Sequence, residues 1–148
     1  MSRKLPVLDA APTLEQARRR LGGLAHVTDR VGCIVADPAG AFGVVIHAEG
    51  GELDVVMTTT AAGGGTVVRR GDSTRWSEVS DSTASARALA ETIRAFARIE
   101  VGARVVYRDR GRVAEGTFVE RCRYGALVAT ASGSIVAVGF GALGRPSN

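Results

Sequence analysis

Several residue types are scarce in this 148-residue chain: two cysteines, two histidines, one tryptophan and four prolines. Cys33 and Cys122 stand far apart and make no C-x-x-C unit, so two reduced thiols are expected rather than a disulfide or redox pair. With His26 and His47 they form four scattered soft ligands. None of the spacings that close a tetrahedral zinc site is present, and no metal or cofactor is expected. Aromatics make up only 5% against 45% hydrophobic residues, so the core must be built from small side chains, chiefly Ala and Val. No apolar run reaches membrane-spanning length. Behind the basic start at Met1 to Lys4, Leu5-Pro6-Val7-Leu8-Asp9 is no apolar signal region. A cytoplasmic protein with no membrane partner is expected.

Catalytic constellations are equally sparse. Gly63-Gly-Gly65 lacks the G-K-[ST] ending of a phosphate-binding loop and precedes a strand-like run, so it reads as a hairpin loop. Cys33 and His47 would make a nucleophile and base only if they faced each other across adjacent strands beside an orienting group. Glu52 and Asp54 share one side of a strand, where edge solubility explains them equally well. Arg70-Gly-Asp72 reads as a turn, and Trp76 as a partly buried anchor before a stacking platform. No catalytic residue is assigned, and the chain is expected not to be an enzyme.

What is present is an uneven charge. Residues 1–100 hold twelve Lys/Arg and twelve Asp/Glu, whereas residues 101–148 hold seven Arg and three acids. The whole net charge of +4 therefore belongs to the last third. All of its basic residues are Arg, whose planar fork suits bidentate contact with phosphate or carboxylate.

In chain order, residues 1–12 read as a loose tail. Residues 13–100 read as an α+β domain, and residues 101–148 as a small β-barrel module. Thr13-Leu-Glu-Gln16 is a capping box opening a short helix with an apolar stripe of Leu14, Ala17 and Leu21. Arg18, Arg19 and Arg20 complement its C-terminal dipole, and Gly22-Gly23 ends it. An antiparallel meander follows: Val31 to Ala36, Ala41 to Ala48, Leu53 to Thr60, Thr66 to Arg70 and Arg75 to Val79, with hairpin-length connections. Ser80-Asp81-Ser82 can cap a second helix reaching about Ile99, with Leu89, Ile93 and Phe96 as its apolar stripe. Arg87, Glu91, Arg94 and Arg98 line its solvated face at ion-pair spacing.

From Val101 to Leu143 the pattern changes to short alternating runs. Val105, Tyr107, Val128 and Phe140 are assigned to the core. Asp109-Arg110-Gly111 and Ser132-Gly133 are turns, and Gly116 marks a bulge or bend. Phe140 and Leu143 close one end. The run G-x-x-V, turn, E-G-T-x-V-E, turn, L-V, S-G-S, V, G-F-x-x-L over Gly102 to Leu143 resembles an SH3-like or Tudor-like barrel. That resemblance implies a module binding peptides, nucleic acids or other subunits. A second resemblance is to the PilZ domain. Arg94-Ala-Phe-Ala-Arg98 matches its R-x-x-x-R, and Glu120-Arg-Cys-Arg-Tyr-Gly125 lies where that family carries D/N-x-S-x-x-G, with Cys122 replacing the serine. It implies cyclic di-GMP contacts at Arg94, Arg98, Glu120 and Gly125.

The expected fold is α+β: helix, antiparallel meander, helix, then a small SH3-like antiparallel barrel. The expected function is non-catalytic binding. The contacts to nucleic acid or a partner protein are assigned to Arg104, Arg108, Arg110, Arg112, Arg121, Arg123 and Tyr124. The alternatives are a PilZ-like cyclic di-GMP sensor and a structural subunit of a phage or other assembly, in which edge strands pair between chains as a homo-oligomer.

Overall fold

The computed structural model describes residues 14–25, 28–60, 66–80 and 82–144. The fold is α+β and mostly β, with two helices and ten antiparallel strands in two sheets. Residues 26–97 form one compact unit; the segment up to residue 25 joins residues 98–148 in the other. The expected tail, Thr13 of the capping box, His26 and the Gly63–Gly65 loop lie outside the described residues. No described helix is long and apolar enough to cross a membrane.

In residues 26–97, strands β1 (Ile34–Ala36), β2 (Phe42–Glu49), β3 (Glu52–Thr60), β4 (Thr66–Asp72) and β5 (Ser77–Glu78) pair in the order β4-β3-β2-β1-β5. The meander is as expected, but β1 is shorter: Val31 and Gly32 lie in a turn, and Gly32 and Cys33 reach β2 only through backbone bonds to Val45. β5 crosses to the far edge and pairs with β1. Alternation puts Val35, Val45, Leu53, Val55 and Met57 on one face, where they cluster with Trp76. The Arg70-Gly71-Asp72 triplet is the end of β4 rather than a turn. Asp72 instead caps the one-turn 3-10 helix Ser73–Arg75, accepting from the Thr74 backbone N–H at 2.8 Å.

Helix α2 spans Ala84–Arg98. Its cap is Thr83, not the Ser80–Ser82 segment: Thr83 Oγ1 accepts the Ala86 N–H at 3.2 Å. Its buried stripe is Ala86, Ala90, Ile93 and Phe96, while Leu89 is only half-buried. Arg87, Glu91, Arg94 and Arg98 are exposed as expected, yet no ion pair joins them. Arg87 donates to the Ser82 carbonyl instead, at 2.6 Å.

The other unit holds helix α1 (Leu14–Arg20) and strands β6 (Arg104–Asp109), β7 (Arg112–Arg121), β8 (Gly125–Thr130), β9 (Ile135–Gly139) and β10 (Leu143–Gly144). The sheet order is β10-β6-β7-β8-β9. A 3-10 turn at Phe140–Ala142 carries the chain from β9 straight back to pair beside β6, and this curls the sheet into a half-barrel. Helix α1 ends in a Schellman turn, with Gly23 N–H on the Arg18 carbonyl and Gly22 N–H on the Arg19 carbonyl. It docks through Ala17 and Leu21 onto Cys122, Leu127 and Ala137, leaving Leu14 exposed. Val105, Tyr107, Val128 and Phe140 are core residues, as assigned. The register slip on β7 falls between Phe118 and Glu120 rather than at Gly116. Gly116 meets a different demand: a Cβ there would stand 2.5 Å from the Ala129 carbonyl oxygen.

Candidate binding surface on the C-terminal hairpin

Strands β6 and β7 pair from Arg104–Thr117 to Asp109–Arg112, leaving Arg110-Gly111 as a two-residue loop. Two-residue hairpin loops need positive φ to match the twist of their strands. Gly111 supplies φ 78° without strain, but Arg110 also takes φ 55°, the only non-glycine among the described residues to do so. A left-handed backbone costs a side-chain-bearing residue about 1–2 kcal/mol, and Asn or Gly would sit there more comfortably.

The loop presents Arg108, Arg110 and Arg112 within five residues, all exposed, against one carboxylate, Asp109. Arg104 is exposed at the other end of β6, and its guanidinium meets Glu115 at 3.1 Å. Alternation sets Arg104, Val106 and Arg108 on the outer face, opposite Thr117, Glu115 and Val113. Val113 is 71% exposed beside Arg108. Arginines, not a charge-balanced mixture, dominate this end of the hairpin.

The remaining arginines assigned from the sequence, Arg121 and Arg123, are half-buried rather than exposed. Arg121 is half-buried: its guanidinium donates to the Ile99 carbonyl and lies 5.0 Å from the centre of the Phe118 ring. Burial lowers its affinity for the proton. Arg123 is half-buried, and its backbone N–H donates to the Gly23 carbonyl at 3.0 Å. Tyr124 packs its ring on the α1 turn, where a Cβ at Gly22 would stand 2.6 Å from a ring carbon.

The cyclic di-GMP candidates fall in both units. Arg94 packs over Gly32 and lines an open groove of about 540 Å³ with Cys33, Glu78, Ser82 and Arg87. Arg98 is exposed. Glu120 is held by Arg18 through a two-point ion pair, one arm 2.9 Å long; this bond raises the Arg18 pKa. Gly125 is buried where a Cβ would stand 2.1 Å from the Val138 carbonyl oxygen. Both of these residues therefore have structural work independent of any nucleotide.

Cys33 packs against the apolar cluster of the meander, whereas His47 pairs with Asp54, so the two do not form a nucleophile–base couple. Burial first, and Glu78 second, raise the Cys33 pKa, which disfavours the nucleophilic thiolate. No group of three or more His, Cys, Asp or Glu among the described residues is placed to hold a metal ion.

The sequence reading passed over one arrangement. His47, Asp54 and Arg70 stand in register across β2, β3 and β4. His47 and Asp54 are 2% exposed; Arg70 Nε donates to Asp54 at 2.8 Å, and His47 Nδ1 lies 3.9 Å from the same carboxylate. The available signal was one His and one Asp inside otherwise apolar strands, FGVVIHAE and ELDVVM. Glu52, its neighbour on that strand side, is exposed.

No protein-family model matches the chain, and no curated protein matches it.

Proposed function

We propose that this is a non-catalytic binding protein whose β6–β7 hairpin grips the phosphate backbone of a nucleic acid through Arg108, Arg110 and Arg112, with Arg104 flanking. The observation that carries the reading is Arg110 at φ 55° on an exposed hairpin tip. Strain held at an exposed position, where a less strained residue type would do, points to a role for the side chain rather than for the fold. Arg108 and Arg112 leave the tip on opposite faces of the hairpin with Arg110 between them, so the tip can be inserted between phosphates, each guanidinium able to form a charge-assisted pair. Such contact positions the partner without reading its sequence.

The test is binding of short mixed-sequence DNA and RNA across a salt series. Three phosphate contacts give a log–log salt slope of about −2.7 on duplex DNA. Changing Arg108, Arg110 and Arg112 together to Gln should abolish that slope while leaving the melting temperature nearly unchanged, because none is buried. Absence of binding at low salt, or binding indifferent to the triple change, would overturn the reading. It would turn attention to a protein partner engaging Val113 and the same arginines.

A further inference from the structure

We infer, resting on the phosphate-gripping role proposed for the hairpin, that its partner is B-form duplex DNA entered from the major groove. Arg108 and Arg112 face the two backbones that wall the groove, and Val113 meets thymine methyl groups inside it. The feature that selects a duplex is the free end of the hairpin, a two-stranded ribbon with no strand beside it.

The hairpin outruns its neighbours. Strand β8 pairs with β7 no further than Gly116, and β10 pairs with β6 no further than Tyr107. From the Arg108–Val113 pair to the loop, no described strand lies on either side of the ribbon. Arg110 stands three residues beyond the Tyr107–Ala114 pair. At about 3.4 Å per residue the ribbon projects about 10 Å. The two turns at the same end of the sheet, Ala131-Ser132-Gly133 and Phe140-Gly141-Ala142, are uncharged. The acids on this part of the hairpin are Asp109 and Glu115, and Glu115 is taken by Arg104 at 3.1 Å.

These dimensions choose among nucleic acids. The major groove of B-form DNA is about 12 Å wide and about 8.5 Å deep, and it admits a two-stranded ribbon; the minor groove, about 6 Å wide, is too narrow. A projection of about 10 Å spans the depth of the major groove. Alternation sends Arg108 and Arg112 to opposite faces, so each meets one wall of phosphates. A single strand offers no second wall, and the major groove of A-form RNA is too deep and narrow for side chains to read. Val113 supplies the remaining contact. It is 71% exposed and shares a face with Arg108, its cross-strand partner. Thymine presents its C5-methyl in the major groove, where it takes apolar contacts. The arginines position the duplex, and Val113 adds a contact that only a methyl-bearing groove answers.

The experiment titrates the full chain, at one low salt concentration, with four probes of the same mixed sequence. They are a DNA duplex, that duplex with uracil in place of thymine, an RNA duplex and single-stranded DNA. The thymine duplex should bind about tenfold tighter than the RNA duplex or the single strand. Uracil should weaken binding about fourfold, the worth of one buried methyl group. Val113→Ala should bind the thymine and uracil duplexes equally and keep its salt dependence, because no charge is lost. Val101→Ala, equally exposed but off the hairpin, should keep the fourfold preference. Dimethyl sulfate should find guanine N7, in the major groove, protected and adenine N3, in the minor groove, open. Failure to bind any probe would overturn the phosphate-gripping role and the duplex assignment together. Salt-sensitive binding of equal strength to DNA duplex, RNA duplex and single strand would overturn the duplex assignment alone. So would equal affinity of the unchanged chain for the thymine and uracil duplexes, or protection at adenine N3 in place of guanine N7.

Discussion

The two sheets have five strands each and differ in what they bury. The meander seals a His and an Asp into its sheet, and these are the only buried polar side chains among the described residues. Among the described residues the half-barrel buries no Asp, Glu, His, Lys or Arg side chain, and it brings backbones together at Gly116 and Gly125, where no Cβ fits. One sheet carries a polar row, His47–Asp54–Arg70, across three strands, which a one-residue slip of register would break. The other is specified by close packing and by a 3-10 turn that joins its edges. Their charges divide the same way: strand β4 of the meander pairs Arg69 with Asp37 and Arg70 with Asp54, while the tip of the half-barrel hairpin has Arg108, Arg110 and Arg112 exposed.

The largest expected effects test that contrast. Phe118 is completely buried, and Phe118→Ala should cost about 3–5 kcal/mol through lost transfer energy and a cavity. Asp54→Ala should cost about 3 kcal/mol, because it strands the Arg70 and His47 groups; the partly exposed Arg70 keeps the figure at the low end. Replacing His47, Asp54 and Arg70 together by apolar residues of similar volume should cost less than Asp54→Ala alone, since breaking a buried pair is worse than removing it. Urea unfolding of the variants measures all three. A triple variant less stable than the single one would mean that the row contributes stability outright, not register alone.

Smaller effects come from pH, and they separate the units further. Asp37 is held below its ordinary 3.8 first by the Ala41 backbone N–H and then by Arg69. Its folded value is depressed, so its contribution is present above 3.8 and is lost as pH falls through the folded value. Cys122 behaves oppositely. Burial pushes its thiol from 9.0 up to about 11, so its contribution is complete below 9.0 and is lost as pH rises toward 11. Asp37→Asn should flatten the acid limb of the stability profile, and Cys122→Ala the alkaline limb. Unchanged limbs in both variants would show that other groups control the pH response.

Much of the β architecture was legible: alternation marks the strands and core positions such as Val105 and Tyr107, and the hairpin-length connections make the pairing antiparallel. Helix ends were less so. Ser80, Ser82 and Thr83 are equally good caps by chemistry, and only the geometry of the turn selects Thr83. Leu14 matched the α1 stripe, but a seven-residue helix docks through just Ala17 and the following Leu21. The hairpin arginines were visible as charge; that Arg121 turns inward to Ile99 depends on a partner 22 residues away, which spacing does not reveal. Cross-strand rows such as His47–Asp54–Arg70 need the register, and the register shifts on β2 and β3 hide it from any count along the chain.

The smallest effect is also the most discriminating for the hairpin. Arg110→Asn relieves a left-handed arginine at no cost in packing, because the side chain is exposed and the loop retains Gly111. It should stabilise the protein by about 0.5–1 kcal/mol, somewhat less than the full left-handed penalty because Asn still prefers other regions. If the tip grips phosphate, the same change should lower the magnitude of the salt slope by about 1 and weaken binding equally across sequences. Stability and binding would then move in opposite directions in one variant, the signature of a residue retained for contact at the expense of the fold. A variant that is more stable and binds nucleic acid as before would show that the strain at Arg110 serves nothing at this surface.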